Sequence, residues 1–161
     1  MTYDEWVIDV DTNNEIQEYK IESIRTNVLL QQQAKDFLQQ IDSVIEIDEE
    51  LIENGVVILT DDVVGYITYE VYSEYGLIRY FIFQKQIDAN YVYQMFQALV
   101  GVAKQDGIQS FISIGKNKEV IELFENLGFY SLEHTDFLIN GQKIIGTELE
   151  YATILKYDIH E

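Results

Sequence analysis

The sequence contains no cysteine, no proline and only two histidines among 161 residues. Without cysteine the chain can form no disulfide, no thiolate metal site and no cysteine nucleophile. Without proline, and without a repeat or a low-complexity tract, no linker divides the chain. We therefore expect a single domain over residues 1–161, because this length and a hydrophobic content of 47% suit one full core.

Basic residues are also scarce: 10 Lys+Arg stand against 29 Asp+Glu, which gives a formal net charge of −19. Such a charge repels the phosphate backbone, so nucleic acid is not an expected partner. No stretch reaches the ~20 apolar residues that cross a bilayer, and the start "MTYDEWVIDV" is acidic where a signal peptide is basic. We expect a soluble cytoplasmic protein with no membrane partner, whose residues 1–15 form a loosely ordered acidic arm.

The first third of the chain predicts one strand and two helices. The segment "EIQEYKIESIR", residues 15–25, has the alternation of a first strand. The segment "NVLLQQQAKDFLQQI" predicts a helix capped by Asn27, and "DEELIENG" predicts a short helical turn that ends on Gly55. The apolar face of the longer helix consists of Leu30, Ala34, Phe37, Leu38 and Ile41.

The middle of the chain changes to a β pattern. The segments "VVILT" and "VVGYITYEVY" are rich in β-branched and aromatic residues, and Asp61 and Asp62 between them favour a turn. A second turn at "SEYG" leads into "LIRYFIF". The pattern therefore predicts three consecutive antiparallel strands.

The last part of the chain alternates helices with strands. A helix "DANYVYQMFQALVGVAK" stops before Gly107 and is followed by the strand "IQSFISI". A helix over residues 117–127 precedes strands in "FYSLEH" and, beyond a turn at Gly141, in "TELEYATILKYDI". This order predicts a mixed α/β sheet with helices between its later strands. The buried face of the first of these helices consists of Val92, Met95, Phe96, Leu99 and Ala103.

The segment "NKEVIELFENLGFYSLEH", with the closing strand "ATILKYDI", resembles the second half of the GNAT superfamily of N-acetyltransferases. The three-strand meander and the helix after it extend the resemblance over roughly residues 50–157. It implies an α/β (α+β) fold with a GNAT-like, mostly antiparallel central sheet flanked by helices. It also implies transfer of an acetyl group from acetyl coenzyme A to an amine. The residues on the family pattern are Asn117, Phe124, Glu125, Leu127, Gly128 and Phe129.

In that family acetyl coenzyme A lies in a splayed gap between two central strands, and backbone amides at the start of the next helix hold its pyrophosphate. The usual loop, Arg/Gln-x-x-Gly-x-Gly/Ala, falls here in "QKQIDANYV", which lacks the usual glycines. The phase of the helix puts Asp88, Asn90 and Val92 at glycine positions. A shift of one residue instead puts Ala89 at a small-residue position and leaves Lys85 for the phosphates. The resemblance thus assigns cofactor contacts to Phe83, Gln84, Lys85, Asp88, Ala89, Asn90, Tyr91, Asn117 and Phe124.

Two substitutions in this pattern bear on activity. Asp88 is a strong N-cap candidate, and its carboxylate could take the amides that a pyrophosphate needs. The loop is therefore either a capped helix start with impaired cofactor binding or a variant that still binds. Phe124 stands where many family members have the tyrosine that protonates the leaving thiolate, and phenylalanine has no proton to give. We expect Phe124 to face an open cleft, so that Phe124→Tyr leaves stability nearly unchanged.

The catalytic residues stay unassigned at this point. Glu70 and Glu74 lie on or beside the second meander strand, where the family often has a carboxylate, and Tyr130 lies near Phe124 in sequence. These three are the candidates for proton transfer. His134 could titrate near neutrality, but two histidines give no metal-ligand spacing, so we expect no metal site.

The sequence therefore favours an N-acetyltransferase, and it contains no Walker loop, nucleophile elbow or HExxH motif. A cleft in a chain of charge −19 attracts cations, so the expected acceptor is a cationic small molecule or a protein amine. The alternative is a catalytically impaired GNAT-fold protein with a binding or regulatory role. A second copy of the chain, in a homodimer, is the other expected partner.

Overall fold

A computed structural model describes residues 7–8, 18–42, 44, 46–132, 138–139, 142–143 and 152–159, with the backbone alone for residues 7–8, 138–139 and 142–143. Within these ranges the chain forms an eight-stranded sheet, flanking helices and a separate two-stranded sheet. The strands are β1 (Val7–Ile8), β2 (Lys20–Ser23), β3 (Val56–Leu59), β4 (Val63–Tyr72), β5 (Tyr75–Gln84), β6 (Ser110–Gly115), β7 (Tyr130–Leu132), β8 (Leu138–Ile139), β9 (Gln142–Lys143) and β10 (Thr153–Asp158). The helices are α1 (Val28–Gln39), α2 (Glu49–Ile52), α3 (Ala89–Gln105) and α4 (Lys118–Leu127).

The large sheet has the order β2-β3-β4-β5-β6-β10-β7, and β1 pairs with β5 off this path. Along the path every neighbouring pair is antiparallel except β5 and β6, which are parallel. The short strands β8 and β9 pair only with each other in the described part of the chain. This arrangement confirms the mixed, mostly antiparallel sheet that the sequence predicts.

One face of the sheet is covered by α1 and α2. The Asn27 side chain caps α1 by accepting a hydrogen bond from the Leu30 amide at 3.0 Å, as predicted. The predicted apolar face of α1 is buried and packs with Tyr66 and Ile82. Gly55 does not end α2, which stops at Ile52. A Cβ at Gly55 would lie 2.2 Å from the Tyr66 ring, so this glycine makes room for a buried tyrosine.

The other face of the sheet is covered by α3 and α4. Helix α3 buries the residues that its periodicity predicts, and α4 buries Val120, Phe124 and Leu127, which recur at helical spacing. Gly128 ends α4 with φ = 108°, the left-handed region that favours glycine. These helices join the alternating residues of the central strands in one large apolar cluster. Among the described residues, none of the helices has the length and apolar character that crossing a bilayer requires.

The predicted elements match the structure most closely in the meander and in α1, α3 and α4. The predicted first strand is confirmed as β2, and the two last strands are confirmed over the parts that the structure describes, β7 and β10. The Gly141 turn and His134 lie outside the described residues. Residues 7–8 form β1 in the large sheet, and the looseness expected for the rest of residues 1–15 stays a prediction.

Candidate functional site

The central strands β5 and β6 separate along their length. They pair only at Tyr75–Ser110, Gly76–Phe111 and Leu77–Ile112, although β5 continues to Gln84 and β6 to Gly115. In the described chain the two strands have no pair beyond these three. They therefore enclose a gap that opens toward their carboxyl ends, which we call the β5–β6 gap.

A bulge in β5 explains why the strands separate. Tyr80 has φ = 48°, and the register between β4 and β5 shifts between Tyr66 and Thr68. An extra residue on one strand bends that strand and increases its twist. Because β4 keeps pairing with β5 on both sides of the bulge, the bend turns the end of β5 away from β6.

Two helices begin at the wide end of the β5–β6 gap. Helix α3 follows β5 after a short loop, and α4 follows β6 after a shorter one. The first amides of a helix lack intrahelical partners, and the helix dipole favours negative charge there. The wide end of the gap therefore presents the backbone groups that can hold a phosphate.

Most of the residues with predicted cofactor contacts lie where β5 ends and α3 begins. Phe83 is buried in the apolar cluster behind the gap, whereas Gln84 is half-buried and accepts a hydrogen bond from Gln86 at 2.7 Å. Lys85 and Ala89 are exposed in the loop and at the helix start. These residues therefore lie at the wide end of the gap. That they contact a cofactor remains a prediction.

Asp88 caps α3 with the carboxylate that the sequence indicated. Its Oδ1 accepts a hydrogen bond from the Asn90 amide at 2.8 Å, and its carbonyl accepts one from the Tyr91 amide at 3.0 Å. A negative charge therefore already occupies part of the anion-binding end of this helix. Removing the Asp88 carboxylate is the direct way to free the Asn90 amide.

The observed start of α3 at Ala89 favours the second register for the phosphate loop. With Gln84 at the first position of the pattern, Ile87 takes the first glycine position and Ala89 the closing Gly/Ala position. Val92, which the first register places at a glycine position, is buried within α3 and faces the core. The Ile87 side chain is also buried, so it points into the core.

Tyr91 and Asn117 are held by the fold rather than left open. The Tyr91 ring packs edge-on against the Tyr19 ring, with the centroids 5.0 Å apart. The Asn117 Oδ1 accepts a hydrogen bond from the Val120 amide at 3.0 Å and so caps α4. Asn117 positions the second helix start at the wide end of the gap.

Phe124 does not face an open cleft. Its side chain is 0% exposed and packs edge-on against Phe81 of β5 and against Phe129, with ring centroids 5.6 Å and 5.0 Å apart. The expectation of an open environment is therefore wrong. The contact with Phe81 joins α4 to the strand on the far side of the gap, on the face that α3 and α4 cover.

The three candidates for proton transfer are scattered. Both carboxylate oxygens of Glu70 are engaged, by the Tyr72 hydroxyl and by an ion pair with Arg79. Glu74 lies exposed in the β4–β5 turn, at the closed end of the gap. Tyr130 is 43% exposed on the edge strand β7 and donates to Asp158 at 2.8 Å. Partial burial raises the pKa of Tyr130, and the hydrogen bond to Asp158 raises it further. Neither Glu74 nor Tyr130 lies at the wide end of the gap. Glu74 is at the closed end, and β10 and β6 separate the β7 strand of Tyr130 from the gap.

An acidic groove of about 430 Å³ lies beside the bulge, and the sequence interpretation missed it. The Tyr80 hydroxyl donates to the Glu46 carbonyl at 3.0 Å and accepts from the Asp48 amide at 2.9 Å, which ties the α1–α2 connection to β5. The acidic run "EIDEE", which leads into the first turn of α2, was the available signal. The lining residues are Glu46, Ile47, Asp48, Glu49, Glu50, Arg79 and Tyr80.

Neither a family model nor a curated protein matches the sequence. Solved structures do match the fold. N-acetylglutamate synthase from Neisseria gonorrhoeae, complexed with coenzyme A and N-acetyl-glutamate, is similar with a TM-score of 0.68 at 14% identity, over 91% of this chain and 36% of that chain. The chain thus spans about a third of that enzyme.

Shorter proteins match over all or nearly all of their length. An acetyltransferase of the GNAT family from Staphylococcus aureus Mu50 is similar with a TM-score of 0.59 at 13% identity, over 89% of this chain and 100% of that chain. The ribosomal-protein-S18-alanine N-acetyltransferase from Escherichia coli is similar with a TM-score of 0.58 at 13% identity, over 89% of this chain and 96% of that chain. The chain has the GNAT fold, which confirms the fold implied by the stretch from Asn117 to Phe129.

Proposed function

We propose that the protein is an N-acetyltransferase that uses acetyl coenzyme A and acts on an amine. The observation that carries this proposal is the β5–β6 gap, which opens at the bulge and ends at the start of α3. The Neisseria synthase, a structure of the same fold, has coenzyme A bound. A long, narrow gap with helix amides at its wide end is the feature of this chain that such a cofactor needs.

The acceptor in this proposal is a cationic amine, either a small molecule or a protein side chain. The acidic groove lies beside the bulge, where the gap begins to open. Of its carboxylates, Glu49 is engaged by Lys35, which lowers the pKa of Glu49 and keeps it ionised. Carboxylates in such a groove attract an ammonium group before it loses its proton and attacks the thioester.

Turnover in this enzyme would be slow. The amine nitrogen attacks the thioester carbonyl, the bond from carbon to sulfur breaks, and the coenzyme leaves as a thiolate that must take up a proton. Phe124 has no hydroxyl and is buried, so it cannot supply that proton. We expect a rate about 10²–10⁴-fold below that of an enzyme with a general acid at this place.

Cofactor binding gives the first test. A ligand that binds only the folded protein stabilises it by mass action, so acetyl coenzyme A should raise the melting temperature in proportion to the logarithm of its concentration. Calorimetric titration should show saturable heat. Free thiol should then be released when spermidine or a lysine-rich peptide is added. The absence of both heat and a melting shift at millimolar acetyl coenzyme A would remove the proposal.

A second candidate function is a GNAT-fold binding protein that transfers no acetyl group. Two observations favour it: the Asp88 carboxylate occupies the Asn90 amide, and Phe124 is buried where a general acid would stand. Such a protein should bind a polycation in its acidic groove without acetyl coenzyme A. Titration with spermidine alone, followed by a thiol-release assay, separates the two functions, because only the enzyme releases thiol.

A further inference from the structure

The N-terminal strand β1 lies inside the β5–β6 gap. A strand has two edges, and β4 pairs along one edge of β5 as far as Gly65 and Phe83. Strand β1 pairs with the same end of β5, Val7 opposite Phe83 and Ile8 opposite Gln84. It must therefore use the other edge, which is the edge that pairs with β6 further back. At Phe83 and Gln84, β1 therefore takes the position beside β5 that β6 takes at Tyr75–Leu77.

We propose that β1 is a built-in occupant of the gap and competes with acetyl coenzyme A for the edge of β5. The identity of the competitor rests on the proposed function. An extended segment and an extended, amide-containing ligand both require the free N–H and C=O groups of this edge. One of them excludes the other, because the backbone groups that this edge of β5 presents at the level of Phe83 and Gln84 cannot pair with both at the same time.

The composition around β1 strengthens the competition. Residues 1–17 contain no lysine and no arginine, and they carry Asp4, Glu5, Asp9, Asp11 and Glu15. Coenzyme A is itself polyanionic, so carboxylates that flank β1 in the sequence oppose it by charge, in addition to the occupancy of the edge by β1. The segment thus acts as a weak internal inhibitor, whose removal from the edge opens the binding site.

The strength of this inhibition depends on how often the gap is open. The apparent Kd equals the intrinsic Kd divided by the fraction of molecules in the binding-competent state. If β1 leaves the edge in about one molecule in ten, acetyl coenzyme A binds about tenfold more weakly than to an open gap. A partner that captures the N-terminal segment would activate the protein by the same factor.

A disulfide tests whether β1 occupies the gap. The chain has no cysteine, so an Ile8→Cys/Gln84→Cys variant contains a single cysteine pair. Neighbouring strands lie about 4.8 Å apart, and aligned residues point to the same face, which suits a disulfide. We expect mild oxidation to close this bond within one chain, as seen by a faster-running monomer on a non-reducing gel. Failure to close it, or closure only between two chains, would overturn the proposal.

Acetyl coenzyme A titrations of the same variant test the competition. The oxidised form should bind at least tenfold more weakly than the form kept reduced with a phosphine, and each form serves as the control for the other. Equal affinity in the two forms would show that β1 does not compete. The thioester has no free thiol, so it does not exchange with the engineered disulfide.

A proline variant separates this proposal from the proposed function. Val7→Pro/Ile8→Pro removes the N–H groups of β1 and should bind acetyl coenzyme A about tenfold more tightly than the unmodified chain. The control is Val28→Pro at the exposed first position of α1, where proline is tolerated, and it should leave affinity unchanged. If the unmodified chain binds and the β1 prolines change nothing, only the competition fails. If no variant binds, the proposed function fails with it.

Discussion

The burial of Phe124 determines what a single hydroxyl group would do at that position. The ring is 0% exposed and packs edge-on against Phe81 and Phe129. A hydroxyl added there is buried in aromatic surroundings, and its desolvation is uncompensated. We predict that Phe124→Tyr lowers the free energy of unfolding by about 1–3 kcal/mol, measured by urea denaturation. Tyr93→Phe, at a ring that is 49% exposed, is the control and should change stability little.

An unchanged denaturation midpoint in Phe124→Tyr would mean that the new hydroxyl reaches water. That outcome would support the open cleft that the sequence predicted around residue 124. Phe124→Ala is less informative, because emptying an aromatic site costs about 3–5 kcal/mol whether or not a cleft lies beside it.

Asp88 is the residue at which helix capping and the proposed cofactor binding would compete. Its carboxylate satisfies the Asn90 amide and places a negative charge at the start of α3. We predict that Asp88→Gly strengthens acetyl coenzyme A binding in calorimetric titration, because the charge is removed and an amide is freed. Replacing a capping side chain by glycine costs only a few tenths of a kcal/mol, so the variant should fold.

Asn27→Gly is the matched control for Asp88→Gly. It removes the capping oxygen of α1, which accepts from the Leu30 amide, and leaves α3 intact. The cofactor affinity of this control should equal that of the unmodified chain. Unchanged or weaker binding in Asp88→Gly would show that the Asn90 amide plays no part in holding the pyrophosphate.

Residues with local roles were predictable, whereas residues with distant partners were not. The caps at Asn27 and Asp88 follow from the few residues after them, and both are confirmed. The contact between Phe124 and Phe81 joins α4 to β5. No local pattern in the sequence shows that these two distant rings pack against each other. This is why the expected exposure of Phe124 was wrong although its helix was right.

At the scale of elements, a network around Asp106 ties the end of α3 to the other side of the sheet. Arg25 donates to the Asp106 Oδ1 at 2.8 Å, and the Tyr69 hydroxyl donates to its Oδ2 at 2.8 Å. Arg25 also donates to Asn54 at 2.9 Å, next to α2. The hydrogen bond from Arg25 is the largest cause of the lowered pKa of Asp106.

This network predicts a dependence of stability on pH. A carboxyl group whose pKa is lowered by folding stabilises the native state above its ordinary value of 3.8, and it loses that contribution as the pH falls through the folded-state pKa. We predict that Asp106→Asn lowers the melting temperature at pH 7 and that the difference from the unmodified chain shrinks below about pH 4. A difference that stays constant over this range would assign the effect to packing around Asp106.

Helices and strands were more predictable where their partners are close in sequence than where their partners are distant. The meander β3–β4–β5 and helix α3 follow from periodicity and turn residues, and their bounds agree with the structure to within a few residues. Strand β1 was missed because it pairs with a strand far along the chain, and its two residues sit in an acidic segment. The bulge at Tyr80 was missed because one extra residue leaves the apolar alternation on each side unchanged.

At the scale of the whole molecule, the net charge of −19 sets a field that every ligand meets. The field would oppose a polyanion such as coenzyme A and attract a cation such as the proposed acceptor amine. The acidic groove beside the bulge concentrates this effect at the place where the proposed function needs an amine. Added salt should therefore strengthen binding of the proposed cofactor and weaken binding of the proposed acceptor, because screening weakens both the repulsion and the attraction.

The expected salt dependence of acceptor binding can be measured by steady-state kinetics. With acetyl coenzyme A held saturating, the KM for spermidine should rise as the ionic strength rises from 0.01 M to 0.1 M, over which the Debye length falls from about 30 Å to about 10 Å. A monoamine of similar length, which carries one charge, is the control and should show a smaller rise. Glutamate should be a poor acceptor at both ionic strengths, because its carboxylates meet the same field. Equal turnover of spermidine and glutamate, insensitive to salt, would show that the acidic groove does not select the acceptor.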